Sequence, residues 1–277
     1  MTNAVVSRNM LARQAENRRR KNPMTQAYNR FAAYYDRLMA DVDYARWSDY
    51  LIGLLEEGGV LPGNPILDCA CGTGEITLRL HRAGYRMTGA DCSAQMLEIA
   101  QQKARKACAK IAFVQQRLQC LRVHKPVAAV TCVSDGVNYL LTAEDAAAFF
   151  ASANHALQQG GLLLFDVSSA YKLEKILGGQ TFGEDDPACT YLWQNCFDPR
   201  TKLLEMRLSF FTPDGQGAYN RFDERHIQRA HTQEELAEQL ARTGFSLEAV
   251  FDAFTKCGPA LESERIQFVA RKNRVVS

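Results

Sequence analysis

The chain has 277 residues, 47% apolar and 23% charged, an ordinary globular composition that excludes a disordered chain, a collagen-like fibre and a coiled-coil rod. No run approaches the roughly 20 apolar residues that a bilayer-spanning helix needs. The net charge of +2 is unevenly spread, because Arg8, Arg13, Arg18, Arg19, Arg20 and Lys21 face only Glu16 before residue 24, which leaves a slightly acidic body.

Residues 1–24 read as a basic, disordered tail with no apolar segment of the kind a secretory signal carries. Met24, followed by Thr-Gln-Ala-Tyr, is a second candidate start. The acidic body lacks the broad basic footprint of a nucleic-acid binder. Nine cysteines without a CxxC pair suggest free thiols, a reducing cytoplasm and no metal centre.

Tyr28, Phe31, Tyr35 and Met39 recur at helical spacing, which predicts a helix over about 25–40. A second covers 45–57 and stops at Gly58-Gly59. The pattern then alternates. Strands are expected at 66–70, 85–91, 111–115, 127–133 and 162–167, with helices from Gly74, from Ser93 to about 108, and over 143–158, ended by Gly160-Gly161. Continuously apolar strands between helices predict a doubly wound α/β sheet covered on both faces. The rhythm breaks after 170. Strands at 189–197, 202–212 and 218–230 have no helix between them and read as an antiparallel insertion. Thr232-Gln233-Glu234-Glu235 is a capping box that opens a helix, and Phe245–Phe251 with Ile266–Arg271 complete the main sheet. The expected domains are therefore 25–170 with 231–277, and an insertion at 171–230.

The sharpest signal is Asp68-Cys69-Ala70-Cys71-Gly72-Thr73-Gly74-Glu75 at a strand-to-helix turn. Glycines let backbone approach a ligand, and the helix that follows offers free N–H groups. Asp91, 17 residues after Gly74, ends the next strand, where an acid grips ribose hydroxyls. A dinucleotide fingerprint would place Gly or Ala at Thr77. An acid before the glycines suits a cationic amino group better than pyrophosphate, so the pattern points to a nucleoside without phosphates, and S-adenosylmethionine fits.

Ile66-Leu67-Asp68-Cys69-Ala70-Cys71-Gly72-Thr73-Gly74 resembles motif I of the class I S-adenosylmethionine-dependent methyltransferases, and Gly89-Ala90-Asp91-Cys92-Ser93-Ala94-Gln95-Met96-Leu97 resembles their second motif. Leu157-Gln158-Gln159-Gly160-Gly161, the aromatic pattern from Tyr28 and the segment from Arg265 to Lys272 extend the similarity over nearly all of 25–272. It is closest to bacterial small-molecule enzymes with a β insertion, a group that includes amino-sugar N-methyltransferases. The resemblance implies a Rossmann-like seven-stranded sheet with the insertion as a lid. It also implies cofactor contacts from Asp68, Cys71, Gly72, Gly74, Asp91, Cys92, Met96, Gln116, Arg117 and Cys132, with Tyr35, Tyr44 and Trp47 closing over the methionine carboxylate. Arg117 stands where relatives often carry an acid that meets adenine, so Gln116 or backbone atoms would take that contact.

The expected function is methyl transfer to a small-molecule acceptor, with an amine favoured. Tyr139 aligns with a His of the amino-sugar relatives, and Tyr139, Asp135 and His226 are the candidate catalytic residues. Three readings stay open beside it: an RNA or protein methyltransferase that uses the basic tail, a non-catalytic cofactor-binding protein, and a nicotinamide-dependent oxidoreductase.

Overall fold

The computed structural model describes residues 32–273. The basic tail, Met24, Tyr28 and Phe31 lie outside the described residues. Among the described residues, eleven strands form two sheets. The larger contains β1 (Pro65–Cys69), β2 (Arg86–Asp91), β3 (Ala112–Gln115), β4 (Val127–Cys132), β5 (Leu157–Ser168), β10 (Phe245–Asp252) and β11 (Arg265–Lys272). Their order is β10-β11-β5-β4-β1-β2-β3. β1 pairs in parallel with both β2 and β4, whereas β11 runs antiparallel to β5 and β10.

Alternation along the central strands divides the core between two faces. Leu67, Val130, Leu163 and Phe165 pack against α5 (Ala143–Ala156) and α6 (Gln233–Arg242). Their neighbours Ile66, Ala129, Leu162 and Leu164 pack against α2 (Tyr44–Glu57) and α3 (Glu75–Arg82). Phe165 stacks flat on Phe268 of β11 at 4.7 Å. The capping box at Thr232 forms in full, with reciprocal Thr232–Glu235 bonds.

The smaller sheet, β6-β7-β8-β9, is antiparallel throughout and comprises β6 (Thr181–Glu184), β7 (Thr190–Asp198), β8 (Leu203–Pro213) and β9 (Tyr219–Arg229). Leu204, Met206, Leu208 and Phe210 face inward. They meet Ala32 of α1 (Ala32–Leu38) and Met96 of α4 (Ala94–Lys106) in a third core.

Three local features differ from the sequence reading. α5 ends at Ala156, and Gly160-Gly161 lies inside β5 instead of stopping the helix. Gly160 takes φ +74° beside a register shift between β4 and β5, so the pair shapes a strand irregularity. The fully exposed β6 has no apolar alternation to reveal it. A π-helical turn at Lys172–Leu177 leads into the insertion, and its single turn is too short to produce a periodic pattern.

Asn138, fully buried, ties the two sheets together. Its amide donates to the carbonyls of Ser168 and Arg229 at 3.0 and 2.9 Å, and its oxygen accepts from Ser168 N–H at 2.9 Å. Truncation would orphan buried backbone groups, at about 1–3 kcal/mol apiece. Asn138→Ala is therefore expected to lower stability by about 3 kcal/mol, read as a reduced urea midpoint with an unchanged slope.

Candidate active site

β1 ends at Cys69 and the chain turns through Ala70 (φ 52°) and Gly72 (φ 54°) to Gly74 (φ 79°), which caps α3. Glycine takes such left-handed backbone freely, whereas Ala70 does so at about 1–2 kcal/mol. No atom lies within 4 Å of where a Cβ on Gly72 would stand. The Gly72 backbone therefore borders open space, in a cleft at the carboxyl edge of the sheet. Gly74 is tight instead, since its Cβ would approach Ala100 to 3.1 Å.

Asp91 faces that cleft from the end of β2. One carboxylate oxygen accepts from Gly72 N–H at 2.9 Å and the other from Ser93 N–H at 2.8 Å. Burial pushes this acid above the usual carboxylate range despite those donors. The Cys92 amide and thiol also approach Asp91, and because a thiol is a weak donor, a hydroxyl arriving from the cleft can take its place. Asp68 is engaged differently: it takes the Thr77 hydroxyl at 2.5 Å and the Thr131 hydroxyl at 2.8 Å, and burial pushes it up to about 6.

Tyr35 and Tyr44 close one side, their hydroxyls hydrogen-bonded to each other. Burial, followed by the Asp36 charge, pushes Tyr44 up to about 12, so both phenols stay protonated. α1 is strapped to the glycine loop, because Asp36 accepts from Thr73 Oγ1 at 2.6 Å and pairs with Lys103 at 2.5 Å. Lys103 also meets Glu75 at 2.7 Å.

Tyr139, close enough to Tyr35 to influence it electrostatically, also lines the cleft, and its hydroxyl lies 3.3 Å from Nδ1 of His226 on β9. Burial pushes His226 down to about 4, which keeps the imidazole neutral at physiological pH.

Of the residues singled out from sequence, Tyr35, Tyr44, Asp68, Cys71, Gly72, Asp91, Cys92, Met96, Gln116, Arg117 and Tyr139 line this one cleft. The others are placed elsewhere. Trp47 is packed edge-on against Phe254 at 4.5 Å. Gly74 sits beneath the loop, and Cys132 is fully buried against Gly136, where a Cβ would stand 2.7 Å from its Sγ. Asp135 is committed to Arg265 and Ser168, and His226 reaches the cleft only through Tyr139. The Gln116 amide is held by the backbone N–H and carbonyl of Arg122, which fixes its direction and leaves one N–H and one lone pair unaccounted for by these bonds.

The chain matches the methyltransferase domain family over residues 66–161. It is 38% identical over 250 residues to YqeM of Bacillus subtilis strain 168, a protein that carries a methyltransferase name, covering 90% of this chain and 98% of that one. The chain belongs to the class I S-adenosylmethionine-dependent methyltransferases. A crystal structure of such an enzyme from Clostridium acetobutylicum superposes on this methyltransferase with a TM-score of 0.80 at 33% identity, covering 89% of this chain and 99% of that chain. The sugar N-methyltransferase KedS8 from Streptoalloteichus shares the fold, with a TM-score of 0.72 at 17% identity and coverage of 88% and 93%. S-adenosylmethionine is the cofactor, and the site suits it: open space over Gly72, an acid at Asp91 with a weak thiol donor that a hydroxyl can replace, and a lining in which Arg117 is the one cation among the described residues.

The sequence reading missed Asp166, Ser168 and Arg265, which stand behind the Tyr139 loop. A signal was present, because Asp166 interrupts Leu162-Leu163-Leu164-Phe165, and an acid in a buried apolar strand requires a partner. The partner lies 99 residues away.

Two outcomes test these environments in the methyltransferase. Asp91→Ala is expected to weaken S-adenosylhomocysteine binding by about 100-fold in calorimetric titration, as loss of hydrogen bonds to a charged acceptor implies. Asp68, raised from 3.8 to about 6, binds its proton more tightly when folded, so its contribution to stability is complete below pH 3.8 and is lost as pH rises through 6. Urea unfolding at pH 4 and pH 7 should therefore show a pH-dependent loss about 2.4 kcal/mol smaller in Asp68→Asn than in wild type.

Proposed function

We propose that this methyltransferase methylates a small, non-polymeric acceptor, most favourably an amine, by in-line displacement. The observation that carries the reading is the Tyr139–His226 pair, in which a cleft-lining hydroxyl is oriented by a neutral imidazole from the insertion sheet. S-adenosylmethionine supplies a methyl group already activated by its sulfonium. What the protein must add is alignment, and proximity alone can contribute about 7–11 kcal/mol.

An imidazole pushed down to about 4 is a poor sink for the proton of an alkylammonium. Tyr139 and His226 therefore position the nucleophile instead of deprotonating it. The Tyr139 oxygen accepts an N–H of the neutral amine while its own proton is donated to Nδ1 of His226. Asp135 is a poor base on this reading, because its carboxylate is engaged by Arg265 and Ser168: burial would raise it, but the charge and hydrogen bond of Arg265, with Lys172 and the Ser168 hydroxyl, together hold it below the usual range. The slightly acidic body favours a small acceptor over RNA, and the sugar N-methyltransferase architecture is compatible with an amine.

The test is S-adenosylhomocysteine formation with a panel of small primary and secondary amines, and in parallel with bulk RNA and protein. Tyr139→Phe should lower kcat/KM by about 10- to 100-fold and leave S-adenosylhomocysteine affinity within about twofold. The rate should rise with pH toward the pKa of the amine itself, with no break near 6.5 from His226. Preferential transfer to RNA or protein, or a histidine-like break near neutrality, would overturn this reading.

A further inference from the structure

The loop after β4 holds two adjacent non-glycine residues in left-handed backbone, Ser134 at φ 59° and Asp135 at φ 69°. Each such residue costs about 1–2 kcal/mol, and such strain persists only where the surroundings over-determine it. Arg265, the first residue of β11, provides the restraint. Its Nη1 bridges Oδ1 of Asp135 and Oδ2 of Asp166. Asp166 in turn accepts from Ser134 N–H at 2.6 Å, and Asp135 accepts the Ser168 hydroxyl at 2.9 Å.

The sheet itself fixes this arrangement, because the β11–β5 register sets Arg265 directly opposite Ser168. The guanidinium also lies 5.4 Å from the centre of the Trp47 ring, and Phe254 pins that ring. One cation between two acids, all largely withdrawn from water, is a poor way to gain stability, since apolar residues of similar volume usually do as well. It is a good way to fix one backbone conformation. The segment so fixed contributes Val133, Ser134, Gly136, Tyr139 and Leu140 to the cleft wall.

We infer that Arg265 is a positioning residue for methyl transfer, which acts through Asp135 and Asp166 to hold loop 133–140 in its ligand-ready conformation without touching cofactor or acceptor. The inference rests on the placement of S-adenosylmethionine in this cleft. It also accounts for Trp47, which stands behind the clamp as its packing support.

The test compares full-length wild type, Arg265→Met, Arg265→Lys and Phe150→Leu. Phe150 is fully buried in the core under α5, and its variant serves as a control for stability alone. Three quantities are read: S-adenosylhomocysteine affinity, thermal midpoint, and amide hydrogen exchange of residues 133–140 without ligand. Arg265→Met should weaken affinity at least tenfold and speed exchange of that segment by a similar factor. Arg265→Lys, which keeps the charge but loses the planar fork, should fall between it and wild type. Phe150→Leu should lower the midpoint and leave both other readouts unchanged.

Unchanged exchange at 133–140 in Arg265→Met would overturn the inference whatever the affinities show, as would equal weakening of affinity by Phe150→Leu at a matched midpoint. Failure of wild type to bind S-adenosylhomocysteine would instead overturn the cofactor placement, while exchange would still decide the clamp. Should the Met variant not fold, the Lys variant carries both readouts.

Discussion

The position of β1 between β2 and β4 governs everything downstream. In an open parallel sheet, the connections from two neighbouring strands diverge to opposite faces where the strand order reverses, and a crevice opens between them. Here the reversal falls at β1. The glycine loop leaves β1 on one side, and the Ser134–Tyr139 loop leaves β4 on the other. Asp91 arrives beside the glycines because β1 and β2 pair in register, Cys69 opposite Ala90. No side chain had to be carried far to build the cleft; the topology delivers donors, acceptors and open space to one edge.

Three buried carboxylates stand at or near that edge, on β1, β2 and β5, and each is satisfied by different chemistry. Asp68 takes hydroxyls, Asp91 takes backbone amides, and Asp166 takes a guanidinium and an amide. The differences assign their duties. Burial leaves Asp68 easily protonated despite its hydroxyl donors, which bind α3 to β1 and β4. Amide donors hold Asp91 in a set direction, and the weak Cys92 thiol donor is the one a ligand hydroxyl can replace. The guanidinium converts Asp166 into a link between β5, β11 and the β4 loop.

The main sheet was legible because its strands are long, apolar and punctuated by glycine, and because Ser93, Thr142 and Thr232 announce helix starts with side-chain caps. The cofactor side of the cleft was legible for a related reason, since its residues cluster in two short segments around Gly72 and Asp91. The acceptor side was not. Asp135 looked like a candidate base from its local surroundings, but its partner Arg265 lies 130 residues on, and no local pattern records such a pairing. Trp47 was expected at the cofactor from the family resemblance; it lies one turn from Tyr44 on α2, but its ring is engaged by Phe254 and Arg265. β6 went unseen because both of its faces meet solvent, so its sequence was never constrained to alternate.

Met96 belongs to two environments at once. It lines the cleft beside Cys92, and it is a member of the core that the insertion forms with α1 and α4. Sequence drift in the two regions is therefore coupled. A change of volume at Met206 or Phe210, far along the chain and remote from any ligand, must be absorbed partly by a residue that also shapes the nucleoside wall. Methionine is suited to that post, being unbranched and adaptable, and a β-branched replacement would transmit repacking of the insertion into the cleft.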